Sequence, residues 1–145
     1  MHHDPRALDP QELQPAPIPD EWVIAGQPQA RALELGRSPD GTCTAAHWDC
    51  TAGTFHWFFF NEEIVHILDG EVLVRSADGQ ERLLRAGDVA VLPANQWMVW
   101  RVDRYVRKLA YCRFPVPRPF GKLVRGVQKA RTWLGLKQLP AVTAS

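Results

Sequence analysis

Within these 145 residues, the side chains that could do chemistry are few: three cysteines, five histidines, and charged residues on strand faces that otherwise look apolar. Cys43, Cys50 and Cys112 follow no CxxC or zinc-type spacing, and an odd number cannot all pair. They are expected as reduced core thiols of a cytoplasmic protein. His2 and His3 stand at an end with no surrounding pattern and receive no metal role. Lys108 is more informative. It shares a strand face with Val106, Ala110 and Cys112 that otherwise reads as buried, and an inward lysine there requires an anionic partner.

The elements that must position these groups are mostly strands. Six of twelve prolines lie at or before Pro28 and four at or after Pro115, so the folded body is the middle. Between Gly26 and Phe114, short apolar or alternating runs rich in Val, Ile, Phe and Trp recur with turn residues between them, an all-β pattern. The expected strands are 30–35, 43–48, 54–60, 63–68, 71–75, 80–84, 88–92, 97–102 and 106–113. Turns are expected around Gly41, Asp69-Gly70, Gly79 and Gly87, each glycine being free to take positive φ. The proline-rich lead, Pro10 to Pro19, is expected to be extended and to wrap over the body without joining a core. The expected organisation is an N-terminal arm (1–20), a β domain (21–114) and a basic helix with its tail (115–145).

After Pro119 the period changes. Phe120, Leu123, Val124, Val127, Ala130 and Leu134 follow helical spacing, with Arg118, Lys122, Arg125 and Lys129 on the other side. This is an amphipathic basic helix, weakened by Gly121, Gly126 and Gly135. The net charge of +1 hides the contrast: up to Cys112 ten Lys/Arg stand against sixteen Asp/Glu, and from Arg113 onward there are seven Lys/Arg and no acid. A uniformly basic nucleic-acid binder is excluded, and no nucleic-acid motif is present. Mutual neutralisation of body and helix is the expected arrangement, with a lipid surface or a partner as the less favoured target. No run approaches the roughly 18 apolar residues of a membrane span, and the first residues lack the pattern of a signal peptide.

The stretch from Gly53 through Glu63 to Asp69-Gly70, with Gly87-Asp88-Val89-Ala90-Val91-Leu92-Pro93 after it, resembles the cupin family. Within it, the sequence is similar to the single-domain group named after the ureidoglycine aminohydrolase cupin domain. Trp48-Asp49-Cys50-Thr51-Ala52-Gly53, Trp100 and Tyr105-Val106-Arg107-Lys108 add to the likeness. The resemblance implies a double-stranded β-helix, the cupin jelly roll, with a small-molecule pocket in its mouth. Metal-binding cupins carry two histidines shortly before a glutamate and a third after the proline turn. Here the glutamate, Glu63, is kept, while the other positions fall around Trp57 and Phe59 and at Met98. One carboxylate does not hold a transition metal tightly, so no metal and no cofactor are expected. His47, His56 and His66, on or near neighbouring strands, are the alternative ligands. His66 lies three residues from Glu63 and so faces the other way, and each is expected as a partly buried, hydrogen-bonded structural histidine.

If Glu63 points inward, so do Val65, Ile67, Trp57, Phe59, Met98 and Trp100, giving an aromatic cavity with one carboxylate and Lys108 as its counter-charge. Apolar surroundings would raise the pKa of that carboxylate and suit it to acid/base work. Glu63 and Lys108 are therefore the candidate catalytic residues, and Trp57, Phe59, Met98 and Trp100 the candidate binding residues. The pair could equally be an ion pair that only specifies the fold. The expected function is conversion or non-catalytic binding of a small metabolite by a homodimer, with metal-dependent amidohydrolase chemistry as the alternative.

Overall fold

The computed structural model describes residues 6–134; His2, His3 and the tail from Gly135 lie outside them. The chain divides into two compact units, Met1–Phe114 and Pro115–Ser145.

The first unit is antiparallel β structure: β1 (Gln14–Pro15), β2 (Val23–Gly26), β3 (Ala30–Arg37), β4 (Cys43–Phe59), β5 (Glu62–Arg75), β6 (Glu81–Arg85), β7 (Val89–Leu92) and β8 (Gln96–Arg113). The sheet order is β1-β3-β4-β8-β5-β6, with β2 added to β4 and β7 to β5. β8 is central because it pairs along much of its length with β4 on one side and β5 on the other. Its even-numbered residues from Met98 to Ala110, the exposed Arg104 apart, face the core; Val102 and Val106 are almost completely buried.

Three expected breaks are absent. Segments 43–48 and 54–60 are one strand, as are 63–68 with 71–75 and 97–102 with 106–113. In β4 the register slips between Thr51 and Gly53. The inward face changes there from even positions, Trp48 and Cys50, to odd ones, Phe55 and Phe59. Gly53 is required because a β-carbon would lie 2.6 Å from Pro28 Cδ. β5 behaves alike: Val65 and Ile67 point inward before the irregularity, Val72 and Val74 after it. Asp69-Gly70 is thus not a tight connection between strands. Gly70, at φ +71°, forms a bend inside β5, where a β-carbon would lie 1.9 Å from the Tyr105 carbonyl oxygen. By contrast, β7 does stop before Pro93, as a residue without an N–H permits.

The N-terminal arm corrects a second expectation. It is largely extended, with single 3-10 turns at Pro10–Glu12 and Asp20–Trp22. It also enters the core, because Ile18 (5% exposed) belongs to the main apolar cluster. An extended segment without internal hydrogen bonds can lend one side chain inward while its backbone pairs outward, as Ala16 N does by donating to Ala30 O at 2.9 Å.

The second unit contains α1 (Arg118–Trp133). It starts one residue before Pro119, whose missing N–H is harmless in a first turn. None of its residues is buried.

Candidate functional site

Glu63, on β5, and Lys108, on β8, are brought together. The Lys108 ammonium donates to Glu63 Oε1 at 2.5 Å, and the side chains are 7% and 10% exposed respectively. Trp48 is directly opposite Lys108 across the β4–β8 ladder. The ammonium also lies 5.0 Å from the Trp48 ring centre and 4.6 Å from that of Trp100. The carboxylate and two electron-rich ring faces thus compensate a cation removed from water.

A cavity of about 150 Å³ adjoins the pair, walled by Trp48, Phe55, Trp57 and Trp100 and bounded by the small Ala46, Ala110 and Cys112. Cavities of about this volume hold a benzene-sized molecule. The rings fix one another: Trp48 meets Trp100 edge-on at 5.8 Å, and Phe55 stacks on Trp100 at 6.5 Å. Trp100 Nε1 is buried with no hydrogen-bond partner among the described residues. Burial pushes the Cys112 thiol up to about 11, with the Glu63 carboxylate adding to the effect, so it is not a thiolate at neutral pH.

Of the four expected binding residues, Trp57 and Trp100 are on this wall and the other two are not. Phe59 is core, its ring 6.2 Å from that of Trp100. Met98 lines a different hollow with Val74, Leu92 and Gln96. Trp48 and Phe55 were missed as wall residues. Alternation alone cannot place Trp48 and Trp57 together, since they have opposite parity; the slip after Thr51 brings both to one side.

With this geometry the chain can be compared with known proteins. The model of the EutQ-like cupin domain family matches residues 37–110, just over half of the chain. The chain belongs to the EutQ-like cupin domain family. Among solved structures, this cupin is similar to a Salmonella typhimurium LT2 protein assigned as ethanolamine utilization protein Q. They share 26% identity over 59% of this chain and 69% of the other, with a TM-score of 0.53. It is also similar in fold to a protein of unknown function of the DUF861 family from Pseudomonas syringae pv. tomato, with 24% identity, 69% of this chain covered and a TM-score of 0.63. The cupin spans only 43% of that longer protein. The Clostridium difficile EutQ protein is 17% identical, with 59% of this chain and 63% of the other covered and a TM-score of 0.53. No curated protein matches the chain.

The residues of this cupin do not fit the metal site of metal-binding cupins. Glu63 is engaged by an ammonium, and among the described residues no three His, Cys, Asp or Glu side chains gather as ligands. Nor do the histidines make the alternative set. His56 is exposed, which corrects its reading as partly buried; its ring lies 6.2 Å from Trp97. His66 is half-buried and alternates with the inward Val65 and Ile67. His47 is fully buried, but it alternates with Trp48 and so faces away from the cavity.

His47 belongs to a polar cluster that sequence reasoning missed. Its Nε2 lies 3.2 Å from Arg107 Nη1; a guanidinium only donates, so Nε2 accepts and the proton is on Nδ1, which is buried without a partner among the described residues. Burial first, then the Arg107 charge, holds this imidazole below its ordinary pKa. Nearby Asp49, 1% exposed, accepts from both Arg31 Nε (3.0 Å) and Arg31 Nη2, and from the Tyr105 hydroxyl at 2.8 Å. Burial and then that hydrogen bond push Tyr105 up to about 12. The bonds run between strands, from Arg31 on β3 and Tyr105 and Arg107 on β8 to Asp49 and His47 on β4, as expected of a group that fixes β3, β4 and β8 to one another.

Proposed function

We propose that this cupin binds a small molecule carrying a carbonyl and an N–H side by side, as amides and ureides do, and holds it at the Glu63–Lys108 pair between tryptophans. The supporting observation is the composition of the cavity: one buried ammonium and one buried carboxylate in direct contact, within otherwise aromatic walls. Lys108 has donors beyond the one given to Glu63, and Glu63 has a second oxygen. A group that accepts from the first and donates to the second completes both. In the catalytic form of the proposal, Lys108 polarises the carbonyl while Glu63 moves a proton; in the binding form the same contacts only hold the ligand. This ligand chemistry also favours the narrower assignment to the ureidoglycine aminohydrolase-like group, although no metal step is carried over.

The test is calorimetric titration with small amides, ureides and hydroxy acids, followed by ammonia-release assays on those that bind. Binding with turnover that Glu63→Gln abolishes supports catalysis. Binding without turnover by the wild type supports the binding form. Unchanged affinity in both Glu63→Gln and Lys108→Met would refute the site.

We further propose a homodimer in the cytoplasm. In its favour, Ile64, Val91 and Tyr111, in register across β5, β7 and β8, are 41%, 59% and 43% exposed. Sedimentation equilibrium tests the dimer, with Ile64→Lys expected to give a folded monomer. The free Cys43, Cys50 and Cys112 favour a reducing compartment. Among the described residues no helix is long and apolar enough to cross a membrane.

A further inference from the structure

The function proposed for the cavity leaves α1 without a role. It carries Arg118, Lys122, Arg125, Lys129 and Arg131 and no acidic residue. On its other side Phe120, Leu123, Val124 and Val127 are 59%, 63%, 52% and 52% exposed. At about 100° per residue, Arg118, Lys122, Arg125 and Lys129 fall within an arc of roughly 60°, and the centre of the apolar stripe lies roughly 180° from the centre of that arc; Arg131 falls on the stripe's side, but in the last turn of the helix, one turn beyond Val127. This opposition decides between occupants. An acidic protein surface that received the stripe would leave the cations pointing away from it, and one that paired with the cations would leave the stripe in water. Neither contact satisfies both faces.

A charged bilayer does. Its surface potential is diffuse, decaying over about 8–10 Å at moderate salt, which is close to the 10–12 Å diameter of a helix. A helix sunk into the headgroup boundary by its apolar side therefore keeps cations on its upper side within reach of the lipid charge. We propose that α1 is a reversible anchor for an anionic phospholipid surface, with Phe120, Leu123, Val124 and Val127 turned toward the acyl chains and the four opposed cations held over the headgroups. Gly121 and Gly126 weaken the helix in water, so its binding is coupled to helix formation. The long apolar run of a membrane-spanning segment is not required for this attachment.

The test uses the full chain in co-sedimentation with vesicles of phosphatidylcholine alone or mixed equally with phosphatidylserine, at low and high salt. Expected is partition to the mixed vesicles that high salt abolishes. The variant Arg118→Gln/Lys122→Gln/Arg125→Gln/Lys129→Gln should lose on the order of 100-fold or more in partitioning at low salt, and Leu123→Ser/Val127→Ser, which keeps all the cations, should lose binding at low salt as well. Both variants change exposed positions, and circular dichroism of the β body checks that they fold. Failure of the wild type to partition at low salt, equal partition to phosphatidylcholine alone, or unchanged binding by the charge variant would each overturn the proposal. So would a lower assembly mass for Leu123→Ser/Val127→Ser in sedimentation velocity without lipid, because the stripe would then be covered by a second copy.

Discussion

Replacing Lys108 by methionine removes the only cation bonded to Glu63 among the described residues and fills much of the same space. The carboxylate that remains is 10% exposed and surrounded by ring carbons, so solvent screening does little for it. Breaking a buried pair in this way costs about 3–5 kcal/mol, against the roughly 5–15 kcal/mol that hold a domain folded. Glu63→Leu strands the ammonium instead. Its contacts with the Trp48 and Trp100 rings remain and recover about 1–2 kcal/mol, so the loss should be nearer ~2–3 kcal/mol. The double variant Glu63→Leu/Lys108→Met strands neither charge, and buried pairs replaced by apolar residues of similar volume are often neutral in stability. Urea unfolding at pH 7, followed by circular dichroism, should therefore give a coupling energy of about 3 kcal/mol or more around this cycle. Losses that simply add, with coupling below about 0.5 kcal/mol, would refute the reasoning, since two groups sharing one desolvated site cannot act independently. A double variant that is stable yet binds no ligand would show that the pair is kept for recognition and not for folding.

Other consequences are as direct. Gly70→Ala should lower the melting temperature by about 10 °C or more or give insoluble protein, because both the φ of +71° and the Tyr105 carbonyl at 1.9 Å oppose a β-carbon. Gly79→Ala, with φ +85° but open space around it, should lose only about 1 kcal/mol in the same thermal scan. His47 binds a proton less readily folded than unfolded, so below an unfolded pKa of about 6.5 the unfolded state holds more protons and stability falls as pH drops. His47→Gln should flatten that acid limb, by up to about 1.4 kcal/mol per pH unit, in urea midpoints measured from pH 7 to 5; an unchanged slope would exonerate His47. Cys50 and Cys112, raised by burial to about 12 and about 11, should resist a thiol reagent at pH 8 until urea is added; rapid labelling of both in the native protein would contradict their placement.

Much of the β body is legible in the sequence because strand alternation is a local signal with a period of two. Glu63, Val65 and Ile67 on one run, and Val106, Lys108 and Ala110 on another, announce their inward faces without knowledge of the fold. A lysine on such a face calls for an acid, and Lys108 finds Glu63. The helix is legible for the same kind of reason, its apolar and basic residues recurring at a period near 3.6. The errors gather where periodicity changes phase. Between Trp48 and Phe55, and again between Ile67 and Val72, the inward set changes parity, and a change of parity beside glycine and aspartate reads as the end of one strand and the start of another.

What the sequence determines by itself, then, is the class of fold, the direction of most strand side chains, the aromatic character of the interior and the contrast between an acid-rich body and an acid-free helix. Tertiary structure alone decides that the phase changes are slips within continuous strands, because the constraints responsible are distant in sequence: Pro28 against Gly53, and the Tyr105 carbonyl against Gly70. Those slips turn Trp48 and Phe55 to the same cavity as Trp57 and leave Phe59 in the core. They do so because a shift of one residue exchanges the two faces of a strand, and only the cross-strand partner determines where that shift occurs.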